Sequence, residues 1–231
     1  MGLLLNIDTA TEHASICIAK DGVAITTMVN REQKDHAGWI QSAIAEAVRD
    51  AGFRMQQLEA VAITAGPGSY TGLRVGMATA KGLCYALNIP LITESTLKVI
   101  AYATREGMGL SSGESPVLPS LLCPMIDARR MEVFTAVYSI DLEVIIPGGA
   151  RILDNNSFNK ELENNRLIFC GNGMDKWKPL TNHSNAMFYA GEYSASDLAY
   201  LAEKQFQQQL WADLAYTEPA YLKEFYSHIK I

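Results

Sequence analysis

Two stretches of this chain carry the same pattern, and few folds accommodate it twice. Leu3 to Ile7 is an apolar run that closes on Asp8, and Leu121 to Ile126 is another that closes on Asp127. A second strand-like run follows each, Ala14 to Lys20 and Glu132 to Tyr138. Turn residues come next, Asp21-Gly22 leading into Val23 to Val29, and Asp141-Leu142 leading into a further short strand. Short apolar runs bounded by turn residues read as buried strands, and Asp-Gly is a tight hairpin signal. After its hairpin the first half continues in strand–helix units. The pattern predicts a helix from about residue 35 to 51, with Ile40, Ile44, Ala47, Val48 and Ala51 on one face and Gly52 just past its end. A strand at 59–64, a helix at 72–87, a strand near 91–93 and a helix at 95–105 follow. A Gly/Ser/Pro-rich loop at 107–116 separates the halves, and the second half adds a strand at 167–170 and a helix at 195–209. The expectation is an α/β protein of two duplicated subdomains, 1–106 and 107–231, each a mixed sheet that opens with an antiparallel hairpin and is flanked by helices.

Composition narrows the function classes. With 25 acidic and 19 basic residues the formal charge is -6, which argues against a broad electrostatic grip on nucleic acid and leaves room only for a local basic patch. Cys17, Cys84, Cys123 and Cys170 form no CxxC pair and read as buried free thiols in a reducing compartment. The first residues lack a basic leader, and no apolar run approaches membrane-spanning length, so a cytoplasmic protein without a membrane partner is expected.

The most informative local motif is Thr64-Ala65-Gly66-Pro67-Gly68-Ser69-Tyr70-Thr71-Gly72-Leu73-Arg74-Val75-Gly76, which joins an apolar strand to a helix. A glycine-rich turn here either offers bare N–H groups to phosphate or lets a helix pack closely. The residues lack the lysine of a Walker A loop, and the third glycine is at 72 where a dinucleotide fingerprint needs it at 71. Asp8, Thr9, Gly66, Gly68, Ser69 and Thr71 are the candidates for a vestigial nucleotide site. Asp8 can reach a metal through water or simply cap its own turn. His36 is followed at helical spacing by Ile40, not by a second histidine, so no metal site is expected. Gly109-Leu110-Ser111-Ser112-Gly113 matches GxSxG without the strand–turn–helix that a nucleophile elbow needs. No catalytic group is assigned.

The helix after the turn is apolar nearly all round. Leu73, Met77, Ala80, Cys84 and Leu87 form one face, while Gly72, Gly76 and Ala80 leave a groove of small side chains suited to close approach by another helix. With Trp39 and Ala43 from the preceding helix, and Arg74 and Lys81 on the polar stripe, these residues are expected to form a partner-binding surface. On that expectation, Gly76→Trp blocks docking and leaves the monomer folded.

Duplicated halves of this kind resemble the actin-like ATPase fold. Within it, Asn6-Ile7-Asp8-Thr9-Ala10 and Gly66 to Arg74 are similar to the TsaB (YeaZ) family, the small accessory subunit of bacterial tRNA threonylcarbamoyladenosine synthesis. Gly171-Asn172-Gly173 and Pro219-Ala220-Tyr221-Leu222-Lys223 are weaker anchors, the last ending in Lys where the family more often has Arg. Ala37-Gly38-Trp39 departs from the family's usual Ser-Glu-Leu. The resemblance implies a scaffold that binds and activates a TsaD-like catalytic threonylcarbamoyltransferase, helped by a small TsaE-like ATPase. It implies ATP and metal on the catalytic partner, no cofactor in the isolated chain, indirect contact with tRNA, and a homodimer when the chain is alone. The alternatives are an ATP-dependent phospho- or carbamoyl-transfer enzyme of the same fold, or a peptidase.

Overall fold

The computed structural model describes residues 2–32, 36–111 and 118–223, with His36 described in its backbone only. The predicted positions 35 and 112–116 lie outside the described residues. Two mixed sheets of five strands carry the fold. In the first, β1 (Leu3–Asp8), β2 (Ala14–Lys20) and β3 (Val23–Asn30) form an antiparallel meander, and β4 (Ala60–Gly66) and β5 (Leu91–Ser95) add in parallel beside β1, giving the order β3-β2-β1-β4-β5. The second sheet repeats that order with β6 (Ser120–Asp127), β7 (Glu132–Ser139), β8 (Val144–Ile152), β9 (Arg166–Cys170) and β10 (Ala186–Tyr189), read as β8-β7-β6-β9-β10. These are two actin-like subdomains, as the repeated strand–Asp–hairpin pattern and the resemblance led one to expect.

Side-chain alternation along β1 explains the layering. Leu4 points into the core shared by the two sheets, and Leu3, Leu5 and Ile7 point to the opposite face. Between the sheets lie α3 (Thr96–Gly107) and α5 (Ala195–Gln207), whose Leu97, Ile100, Leu198 and Leu201 pack against Leu122, Ile126 and Ile168 of the second sheet as well as Leu4 and Ile92 of the first. The outer face of the first sheet is covered by α1 (His36–Asp50) and α2 (Tyr70–Leu87). Helix α2 begins two residues earlier than its apolar pattern indicates, because Ser69 caps it by accepting a hydrogen bond from Gly72 N.

The outer face of the second sheet is built differently. Residues 150–190 hold a short helix, α4 (Asn159–Asn164), and two single 3-10 turns, none of which the sequence pattern resolved. Fully buried Trp177 fills the space that a longer helix would occupy, its ring 4.6 Å from Phe169 and 5.2 Å from Phe158, and its indole N–H donates to Asp154 O at 3.2 Å.

The chain then returns to its first half. Ala212 N donates to Leu91 O at 2.8 Å, Ala220 N donates to Ala65 O at 2.7 Å, and the Lys81 ammonium donates to Ala215 O and Thr217 O, each at 3.1 Å. Residues 212–223 form a strap across α2 and the ends of β4 and β5.

All four cysteines are free and buried, and burial pushes their thiols up from 9.0: Cys17 and Cys84 to about 11, Cys170 to about 12, and Cys123 further still. The folded protein therefore holds these protons where the unfolded chain releases them, so stability is lost as pH rises above 9.0. The urea midpoint should fall between about pH 8 and about pH 10.5. An aromatic disulfide reagent should label four thiols only after unfolding.

Candidate functional site

The strand–turn–helix motif meets the turn after β1, and the two loops close on each other. Asp8 is almost fully buried at 2% exposure; its Oδ1 accepts from Thr64 Oγ1 and from Ala10 N at 3.2 Å. Thr9 Oγ1 donates to Gly72 O at 2.8 Å. Ser69 N donates to Ala10 O at 2.6 Å. Tyr193, just before α5, donates to Thr11 Oγ1 at 3.2 Å, and burial together with the adjacent Asp8 carboxylate pushes its phenol well above 10.0.

The glycines of the motif serve this contact. A Cβ on Gly68 would fall on Ala10 O, one on Gly72 on Thr9 O, and one on Gly76 on Thr9 Oγ1 and within 3.0 Å of Ile63. Two of the turn N–H groups are engaged within the chain, Ser69 N on Ala10 O and Gly72 N on Ser69 Oγ, and Asp8 accepts from the neutral donors Thr64 Oγ1 and Ala10 N. The residues expected to form a vestigial nucleotide site are brought together: Asp8, Thr9 and Gly66 are buried, Gly68 is half-buried, and Ser69 and Thr71 stand exposed at the rim of the seam. Their arrangement does not fit a phosphate. Among the described residues, no group of three or more His, Cys, Asp or Glu is placed to hold a metal ion. The side chain of His36, and Ser112 and Gly113 of the GxSxG match, lie outside the described residues.

The same packing corrects the expected docking face. Gly72, Leu73, Gly76, Met77 and Ala80 of α2, with Ala43 of α1, are buried in the protein's own core against Ile7, Ile63 and Val61. Small residues at i, i+4 and i+8 do permit close approach, but it is β1 and its turn that approach. Trp39 is half-buried against the same core, and Lys81 is taken up by the strap. Arg74 is exposed; it stacks 4.1 Å from the Tyr70 ring centre and donates to Tyr221 Oη at 3.0 Å.

What α1 and α2 turn to solvent is a different stripe, and an unusual one. On α2 it comprises Ala78, Gly82, Tyr85 and Ala86, and on α1 Ala37, Gly38, Gln41, Ser42 and Ala45. Gln41 Nε2 donates to Thr79 Oγ1 at 3.3 Å and ties the helices side by side. Tyr85 is 84% exposed and Tyr216 of the strap 85%. These helices also expose charged side chains, Glu46, Arg49 and Asp50 on α1 and Arg74 on α2, but the stripe between them carries small uncharged groups and the bare ring of Tyr85, with Tyr216 of the strap exposed as well. The stripe was readable in the sequence as the run of uncharged residues opposite Leu73 and Met77, at 78, 82, 85 and 86.

The fold and the seam define an actin-like protein whose first phosphate turn is closed by its own side chains. Comparison with known proteins agrees on the lineage. Residues 28–227 match the family described as TsaD, tRNA N6-adenosine threonylcarbamoyltransferase, and the chain belongs to that family. Among curated relatives it is 28% identical over 227 residues to the tRNA threonylcarbamoyladenosine biosynthesis protein TsaB of Escherichia coli, spanning 95% of this chain and 94% of that one. It is 31% identical over 147 residues to the protein of the same name in Bacillus subtilis, spanning 62% and 59%. Among solved structures, an uncharacterized Pseudomonas aeruginosa protein described as similar to peptidase YeaZ superposes with a TM-score of 0.83 at 22% identity, covering 96% of this chain and all of that one. That likeness establishes the fold.

Gly76→Trp is therefore a test of the seam and not of docking. It should destabilise the isolated protein by about 3 kcal/mol or more, because the ring has backbone and Thr9 in its way. Gly82→Trp, with nothing within 4 Å of its Cβ, should change the urea midpoint little.

Proposed function

We propose that this chain is a non-catalytic accessory subunit of tRNA threonylcarbamoyladenosine synthesis, which binds and activates a catalytic threonylcarbamoyltransferase. The observation that carries this reading is the sealed turn. Asp8 accepts from Thr64 and Ala10, Thr9 donates to Gly72 O and Gly72 N to Ser69 Oγ, so a nucleotide would have to displace native hydrogen bonds in order to bind. The relatives' names support the pathway, and the uncharged solvent stripe of α1 and α2 supports a protein partner of related fold. On this reading ATP and metal belong to a TsaD-like partner, a small TsaE-like ATPase acts on the assembled complex, and the chain works in the cytoplasm. Alone, two copies would meet through the same stripe about a twofold axis.

Burying Ala78, Gly82, Ala86 and Ala45 against a partner helix costs little side-chain entropy, because such residues have few rotamers to lose. Tyr85 and Tyr216 add large apolar area beside them. The polar neighbour Gln41 is already paired with Thr79, so docking does not strand it.

The test is reconstitution. The isolated chain should leave unmodified tRNA unchanged, and adding the catalytic subunit should restore adenosine modification. Gly82→Trp should weaken the complex by about 100-fold or more while the protein stays folded, a loss of about 3 kcal/mol read by titration calorimetry. Modification by the chain alone would overturn the scaffold reading, and an undiminished complex would move the interface elsewhere.

A further inference from the structure

The hairpin tip between β6 and β7 makes a backbone demand that its residues meet poorly. Arg129 and Arg130 both sit in the left-handed region, with φ of 69° and 48°. The turn closes through Glu132 N donating to Arg129 O at 3.2 Å and Ala128 N to Glu132 O at 3.1 Å. The loop is three residues long, 129–131, and its two left-handed positions favour Gly or Asn, because a side chain with a Cβ is penalised there. The same protein meets a like demand at the β2–β3 tip with Asp21-Gly22, at φ of 54° and 78°. Paired arginines at the second tip are thus a stability cost kept for another reason.

The electrostatics give that reason. The tip's two carboxylates are already held, Asp127 by Lys176 at 2.5 Å and Glu132 by Lys223 at 2.6 Å. Among the described residues neither the Arg129 nor the Arg130 guanidinium has an ion-pair or hydrogen-bond partner, and both residues are exposed. Two uncompensated cations therefore project from a protein whose overall charge is -6. They stand at the carboxyl end of the parallel β6–β9 pair, the edge at which open α/β sheets receive ligands. Lys223 reaches this tip at the end of the strap, which passes Arg74 through Tyr221.

We infer that the Arg129–Arg130 tip binds the phosphodiester backbone of the tRNA undergoing modification, an inference that rests on the proposed function for the identity of the RNA. Guanidinium groups pair bidentately with phosphate, and an isolated cationic tip on an acidic body steers a polyanion to one place instead of coating the surface. An acidic protein surface is the competing occupant, and the experiment separates the two.

The variant R129N/R130G places residues that tolerate the left-handed region at both positions while removing both guanidinium groups. Its melting temperature should rise by roughly 2–8 °C, so loss of binding cannot be ascribed to unfolding. Binding of a fluorescent unmodified tRNA transcript is measured by anisotropy across a salt series, with the chain alone and with the catalytic subunit added. The variant should bind about 10-fold or more weakly at low salt, and the slope of log affinity against log salt should flatten by about 1.4, the loss of two phosphate contacts. R129K/R130K should keep the slope and recover part of the affinity. Complex formation by the variant should match wild type; a wild-type chain that binds tRNA but forms no complex with the catalytic subunit would count against the proposed function alone. Equal tRNA affinity and slope in wild type and R129N/R130G would overturn the inference, as would wild type that binds no tRNA in either form. Loss of catalytic-subunit binding with tRNA binding intact would assign the tip to an acidic protein surface instead.

Discussion

The contact between the turn after β1 and the turn after β4 decides how the rest of the first subdomain is arranged. Thr9 and Ala10 offer a carbonyl, a hydroxyl and another carbonyl to the start of α2, and Gly68, Gly72 and Gly76 are the positions at which a side chain would prevent that approach. Each hydrogen bond contributes only about 1 kcal/mol net. Their geometric consequence is larger. Once α2 is drawn onto β1, its Leu73–Met77–Ala80–Cys84 face has no place to go but the sheet, and the small-residue stripe at 78, 82 and 86 is left outward. A phosphate turn and a packing turn make incompatible demands on the same N–H groups, and here packing has taken them.

Duplication set the topology of both halves and did not hold them equal. The strand order is the same in the two sheets, and α3 and α5 occupy equivalent places between them. The outer layers diverge. Where the first sheet has two helices of 15 and 18 residues, the second has a six-residue helix and an aromatic cluster in which Phe158, Phe169, Trp177 and Phe188 meet at 4.6 to 6.2 Å between ring centres. Aromatic rings bury as much apolar surface as several aliphatic side chains, so a few of them close a sheet that lacks long helices. Long helices with surface to offer are therefore found on one side of the protein only.

The elements legible in the sequence were those with a strong period. The hairpins, the strands closing on Asp8 and Asp127, and α1, α2, α3 and α5 followed from apolar spacing and turn residues. Apart from the strand at 167–170, observed as β9, the stretch from 150 to 190 did not, because its order comes from tertiary ring packing and from Phe158 at φ 64°, neither of which leaves a periodic trace. The candidate site was legible as a cluster but not in its use. Glycines at 68, 72 and 76 announce a close approach without naming what approaches, and a partner helix and the chain's own first turn leave the same signature. The apolar face of α2 was found and its direction inverted. The informative residues were the uncharged ones on the other side, which a search for greasy surface passes over.

The two carboxyl edges of the sheets treat their aspartates differently. At the first edge Asp8 is satisfied internally by Thr64 and Ala10, and Tyr193 and the start of α2 close over the turn. At the second edge the equivalent strand also ends in an aspartate, but Asp127 is exposed and paired with Lys176, and the following turn presents two arginines with nothing to neutralise them. Closing one edge fills the space beside Asp8 with the chain's own side chains at no cost to the core. Leaving the other open, on a backbone that glycine would suit better, keeps a local unfavourable conformation that internal packing does not explain. On the proposed function, surfaces that stay unsatisfied until a partner arrives are what the chain needs, and among the described residues the uncharged helix stripe and the arginine tip are two exposed places of that kind.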